Sequence, residues 1–202
     1  MTNNIGISIG YNCNSAIWGV RNNIRDVKKN GYKTCPFDMM ISNYNGLCEC
    51  LKDDFKYLCD ENYLELIKRN ETEYIIYNNK YNFSFNHESP GHANLYISEK
   101  WELGTNHFVL NNYENLKKRY SQRIENFRNY LLDENNTINF ILTTWEKTEN
   151  DLQDLKNILV EKYPKLKYKF ILLNNPFGKD NFICHLRSMR YTENDNELKR
   201  LL

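Results

Sequence analysis

A cysteine three residues past a glycine-ended apolar run is the first feature of this chain that could do chemistry. In ISIGYNCNSAIWG, Ile7 to Gly19, the run stops at Gly10 and a helical pattern begins at Cys13. A helix start carries unpaired backbone N–H groups and the positive end of the helix dipole. Both favour a thiolate. The same N–H groups, around Asn12 to Asn14, can hold an oxyanion, and Asn12 adds a side-chain donor. In that reading Cys13 is a nucleophile for acyl transfer. In the other it is a small buried residue at a tight turn.

A nucleophilic thiol needs a base. The chain has four histidines, His87, His92, His107 and His185. His87, in FSFNHESPGH, follows an alternating strand-like run and precedes Pro90, so it falls on a loop at a strand end, where functional residues concentrate. His92 is the alternative base. His107 reads as a strand cap and His185 as part of a C-terminal helix. Asp38, in CPFD, is the candidate that orients the imidazole; equally, it caps the next segment or bonds to a loop amide. Arg119 and Arg123 stand four apart, on one side of a helical stretch. They suit a phosphate or carboxylate on a substrate, or a surface ion pair.

Alternating strands and helices must position these residues. IGISIG (Ile5–Gly10), YKTCPFD (Tyr32–Asp38, stopped by Pro36), INFILTTW (Ile138–Trp145) and KYKFILLN (Lys167–Asn174) read as strands, and HFVL as a weak one. The last two long runs are nearly continuous in apolar residues, the pattern of strands covered on both faces. EYIIY and YNFSF, within Glu73–Phe85, read as a hairpin across the turn-like NNK. After Cys13, residues Ala16, Ile17, Val20, Ile24 and Val27 recur at helical spacing, with a cap at Asn14 or Ser15 and a stop at Gly31. Between Asn112 and Leu132 the stripe is Tyr113, Leu116, Tyr120, Ile124, Phe127 and Leu131. Leu152, Leu155, Leu159 and Tyr163 form another, ended by Pro164. The order predicts one α/β domain over residues 1–202: a three-layer sandwich with a mainly parallel sheet and an irregular central insertion at about 70–110. Cys13 and Asp38 would then share the carboxyl edge of the sheet, where open α/β sheets bind ligands.

Charge excludes some partners. With 27 Lys and Arg against 26 Asp and Glu, no strong global field draws in nucleic acid or an anionic membrane. No apolar stretch approaches the roughly 20 residues of a membrane span. MTNNIGISIG lacks the features of a signal peptide, so the expected location is the cytoplasm, or the host cytoplasm for a viral protein. The six cysteines, Cys13, Cys35, Cys48, Cys50, Cys59 and Cys184, read as free thiols. CEC at Cys48–Cys50 with Cys59 lacks the CxxC pairs of structural zinc sites. Neither a metal nor an organic cofactor is expected, and the oligomeric state is not legible.

SIGYNCNSA, CPFDMMIS, FSFNHESP and RYSQRIENF together resemble a family of uncharacterised proteins described as papain-like cysteine peptidases, found in bacteria and large DNA viruses. Its members show G-x-N-C after a small-residue strand, a PFDW-like element, a Phe/Asn/His-rich loop and a basic RR-x-x-x-F helix. The resemblance runs from Ile5 to about Leu142, with Met39 in place of the aromatic after PFD. It implies Cys13 as nucleophile and His87 as base. The expected function is a thiol-dependent hydrolase or acyl transferase acting on a peptide, ester or amide, with Asp38 orienting His87. Two rivals remain. One is a transferase for a sugar or nucleotide-type substrate, with phosphate at the helix start and Arg119 and Arg123 assisting, although GxGxxG and GxxxxGK[ST] are absent. The other is a non-catalytic α/β interaction module.

Overall fold

The computed structural model describes residues 3–69, 71, 73–90, 101–144 and 147–174. Three apolar runs pair in parallel: β1 (Asn3–Ser8), β5 (Asn136–Thr144) and β6 (Lys167–Asn174), in the order β1-β5-β6. Ile7 lies opposite Phe140, and Phe140 opposite Phe170. Successive side chains of a strand alternate between faces. Ile138, Phe140 and Leu142 therefore face the main core, and Ile141 faces the other way. Helix α1 (Cys13–Arg21) lies against that second face. Gly19 makes this possible, because a Cβ there would stand 2.6 Å from Ile141 Cδ1. β1 and β5 are thus packed on both sides, whereas β6 keeps Lys167 and Lys169 exposed and its apolar residues half-buried, so the expectation of a strand covered on both faces holds for β5 and not for β6.

A second, antiparallel sheet holds β2 (Leu64–Lys68), β3 (Tyr74–Asn78) and β4 (Phe83–Ser84), in the order β2-β3-β4. The β3–β4 hairpin is the one expected from EYIIY and YNFSF. β2 is not among the expected strands; along LELIK one face runs from buried Leu64 to exposed Leu66 and Lys68. Helix α2 (Tyr44–Lys52) is capped by Asn43, whose side chain accepts from Gly46 N at 2.7 Å and donates to the carbonyls of Tyr81 and Asn82. That cap ties the helix to the turn before β4. Helix α3 (Leu110–Leu132) buries Leu116, Tyr120, Phe127 and Leu131 of the expected stripe, and α4 (Gln153–Lys162) buries Leu155 and Leu159.

The two sheets meet in an aromatic core. Phe37 packs edge-on to Phe83 and Phe127, at centroid distances of 5.9 and 6.3 Å, and Phe55 packs edge-on to Phe127 at 5.6 Å. The PFD segment is thereby seated between β4 and α3.

Several elements differ from the sequence expectation. Tyr32–Asp38 is not a strand. Pro36 has no N–H to give a ladder, and the Asp38 carboxylate takes the Cys35 N–H at 2.8 Å, closing a 3-10 turn over Pro36–Asp38. HFVL is a turn leading into α3 rather than a strand. The first helix stops at Arg21, well before Val27. Asn23 takes φ 56°, and the N–H groups of Ile24 and Arg25 both turn back to Gly19 O. In α3, Asn111, Asn112 and Tyr113 have left-handed φ between 51 and 60°, so the regular helix begins after them. No helix among the described residues is long and apolar enough to cross a membrane.

Phe127, fully buried on α3, packs on both Phe37 and Phe55. Phe127→Ala is expected to lower stability by about 3–5 kcal/mol, read as a shift of the urea unfolding midpoint with unchanged slope.

Candidate active site

The cysteine turn is built by backbone bonds from three directions. Ile9 N continues the ladder to Ile141 O at 3.0 Å. Gly10 O then accepts from Thr143 N at 3.0 Å and from the Ser15 hydroxyl, which also bonds Thr143 Oγ1 at 2.7 Å. Gly10 has φ +128°, and a Cβ there would stand 2.6 Å from Ser42 Oγ. Glycine is required on both counts. Asn12 is extended and caps α1, its side chain accepting from Asn14 N at 2.9 Å. The cap is therefore Asn12, two residues ahead of the expected Asn14 and three ahead of Ser15. It also withdraws the Asn14 N–H from the expected oxyanion set.

Cys13 is the first residue of α1 and is half-buried. Burial pushes its thiol pKa up, and the hydrogen bond from its own backbone N–H opposes this only in part. The helix start alone was expected to favour thiolate. Desolvation outweighs it, and the thiol is neutral near pH 7.

The segment at 41–42 connects this turn to the histidine. Ser42 N donates to Tyr11 O at 2.7 Å, and Ile41 and Ser84 exchange both backbone bonds at 2.9 Å. Past Ser84, Asn86–Glu88 form a 3-10 turn that carries half-buried His87. Ser84 Oγ bonds the Asn86 side chain. Ser89 Oγ accepts from Ile76 N and donates to Phe85 O, both at 2.8 Å. The turn is thus sewn to β3.

Glu88 anchors its other side. It is fully buried. Arg119 Nη1 and Arg123 Nη2 each lie 3.0 Å from its Oε1, and Tyr120 OH donates to Oε2 at 3.2 Å. The carboxylate that Arg119 and Arg123 bind is the protein's own. Sequence reading missed Glu88, though its signal was present: an acid next to the candidate histidine, and two arginines one helical turn apart. Burial works against the Arg123 charge, while Tyr120, Glu88 and Asp38 raise its pKa.

Asp38 is also fully buried. Its Oδ2 accepts from Tyr32 OH at 3.0 Å and Cys35 N at 2.8 Å and pairs with Arg25 Nη2 at 3.3 Å. Its Oδ1 has no hydrogen-bond partner among the described residues. Its bonding partners are a phenol, an amide and a guanidinium, not an imidazole. Burial raises its pKa, against Arg25 and the Cys35 N–H. The carboxylate that would orient a histidine instead locks the PFD turn to the segment after α1.

His92, His185 and Cys184 lie outside the described residues. His107 is half-buried beside Trp101 and Phe108 and caps no strand. Cys48 and Cys50 lie buried on α2. No group of three or more metal-ligating side chains occurs among the described residues.

Residues 5–176 match the model of the family described as "Putative papain-like cysteine peptidase (DUF1796)". The chain belongs to that family. No curated protein and no solved structure matches it.

Removing one member of a buried ion pair leaves the others unpaired. Glu88→Gln is expected to cost about 3–5 kcal/mol, measured by urea unfolding. The loss should exceed that of Glu61→Gln, which breaks only the exposed pair with Lys117.

Proposed function

We propose that this protein is a thiol-dependent acyl hydrolase of peptidase type. Cys13 Sγ attacks the carbonyl carbon of a peptide, isopeptide, ester or amide. His87 accepts the thiol proton and returns it to the leaving group. Water then attacks the thioester, with His87 again as base, and releases the acid and the free thiol. The N–H groups of Cys13 and Ser15 hold the oxyanion. Asn12 has committed its Oδ1 to the helix cap, so its NH2 is the group it offers to substrate. Asn14, exposed at the helix start, lies at the substrate's edge.

One observation carries the reading. A cysteine opens α1 at the carboxyl end of β1, and its turn is joined through Ser42, Ile41 and Ser84 to the turn bearing His87. Family membership supports the same class. The raised thiol pKa sets the mode: Cys13 rests as a thiol and is deprotonated as it attacks, instead of waiting as a preformed thiolate. Glu88 and Asp38 act as positioning residues. One holds the histidine turn through Arg119 and Arg123; the other holds the PFD turn.

Screening peptide, ester and amide substrates with Cys13→Ala and His87→Ala tests the assignment. Each substitution is expected to lower kcat by about a thousandfold or more. Undiminished turnover of a confirmed substrate by Cys13→Ala rules the mechanism out. A second measurement addresses the resting thiol. Because the folded pKa is raised, less thiolate exists at a given pH than in a free cysteine. Alkylation of Cys13 by iodoacetamide should therefore be slow at pH 7 and climb through pH values above the ordinary thiol range. A rate already level at acidic pH would mean a preformed thiolate–imidazolium pair and overturn the general-base mode.

A further inference from the structure

The described residues hold a cleft of ≈ 940 Å³ that the thiol chemistry does not use. It runs along α3, between that helix and the segments around Lys28–Thr34 and Trp101–Phe108. Its charge is one-sided. Lys28, Lys33, Lys118, Arg119 and Arg123 line it, against Glu102 as the one acidic residue on the lining. Glu88 neutralises part of the arginine charge from beneath, and the three lysines at the rim, exposed, stay in excess. Partial burial of Lys28, with Arg123, Arg119 and Arg25 nearby, lowers its pKa against the pull of Asp38. Cations that disturb one another in this way share a region of positive potential.

The lining also holds polar atoms without partners. Arg123 Nη1, His107 Nδ1 and Thr34 Oγ1 are buried and have no hydrogen-bond partner among the described residues. The Arg123 side chain is only 10 % exposed. A buried polar group left unpaired costs about 1–3 kcal/mol; Arg123 Nη1 is a donor and the Thr34 hydroxyl can be one, so the cleft suits a ligand rich in acceptors. A carboxylate brings two oxygens and one charge. A phosphate brings three terminal oxygens and close to two charges, and a guanidinium fork suits it. The cleft is larger than inorganic phosphate needs and falls in the size range of small-molecule sites. Trp101, half-buried, adds an aromatic wall and packs edge-on to Phe108 at 4.8 Å.

We propose that this cleft is a binding site for a phosphorylated small molecule, its phosphate held at Arg123 with Lys28 and Lys118 at the rim and its organic part beside Trp101. The site goes beyond the acyl-hydrolase reading and does not depend on it. Arg119 and Arg123 serve both, because they also hold Glu88 next to His87 in the chain.

Calorimetric titration of the full chain with AMP, inorganic phosphate and acetate tests the site, with intrinsic tryptophan fluorescence as a parallel readout. AMP is expected to bind more tightly than inorganic phosphate, and acetate not at all. Lys28→Glu and Lys118→Glu, both at exposed positions, should each weaken AMP binding about tenfold. Lys52→Glu, outside the cleft, should leave it unchanged, and all three should keep the wild-type melting temperature. Arg123→Lys, which keeps a positive charge for Glu88, should also weaken binding. Cys13→Ala should bind as wild type does, so failure of the hydrolase reading and failure of this site are separable. No binding of AMP up to about 10 mM, equal binding of acetate, or indifference to both rim reversals would overturn the proposal.

Discussion

A carboxylate with no contact with water must be matched by cations or give up its charge. Glu88 is matched. Arg119 and Arg123 reach it from one side of α3, one helical turn apart, and Tyr120 between them supplies a hydroxyl. The cluster costs desolvation of three ions, so it adds little to stability by itself. What it supplies is position. A 3-10 turn of three residues, joined to β3 at its ends, would otherwise have no fixed relation to the helix that packs across it. With Glu88 paired, the turn carrying His87 and the helix carrying the arginines move as one body.

The PFD turn repeats the device. Asp38 is buried, draws Arg25, Tyr32 and the Cys35 N–H onto a single oxygen, and is followed by the segment that meets both the cysteine turn and β4. Arg25 in turn lies over the Tyr32 ring at 4.1 Å. Two buried carboxylates, each held by arginine and tyrosine, thus flank the path from Cys13 to His87. Between them the Phe37, Phe55, Phe83 and Phe127 rings exclude water, and that exclusion is why unpaired charge there would be so costly. The catalytic reading depends on this frame more than on any feature of the thiol, whose burial pushes its pKa up.

The chain pairs a parallel β1-β5-β6 sheet with an antiparallel β2-β3-β4 sheet, and the candidate nucleophile opens the helix that follows the first strand. The second sheet does more than fill an irregular middle: its last strand delivers the histidine turn.

Local physics alone made some of this legible. Apolar runs identified β1, β5 and β6, and β5, packed on both faces, has no polar side to display, while β6 alternates exposed lysines with half-buried rings at its start. The 3.6-residue stripe in α3 named the residues it buries. Gly10 followed by a cysteine marked the turn, since only glycine tolerates that φ beside Ser42. Local turns that the apolar pattern does not encode, and contacts between segments distant in the chain, decided the rest. Pro36 and the Asp38 carboxylate turned an expected strand into a 3-10 turn. Asn23 in a left-handed conformation cut the first helix short. The partners of Arg119, Arg123 and Asp38 were invisible in the sequence, where a charge shows its sign but not what it will face. Local pattern determined where the reactive side chains sit along their elements. Only tertiary burial decided that Arg119 and Arg123 would pair with Glu88, that Asp38 would pair with Arg25, and that the Cys13 thiol pKa would be pushed up, because each outcome depends on how much water the fold removes around a charge.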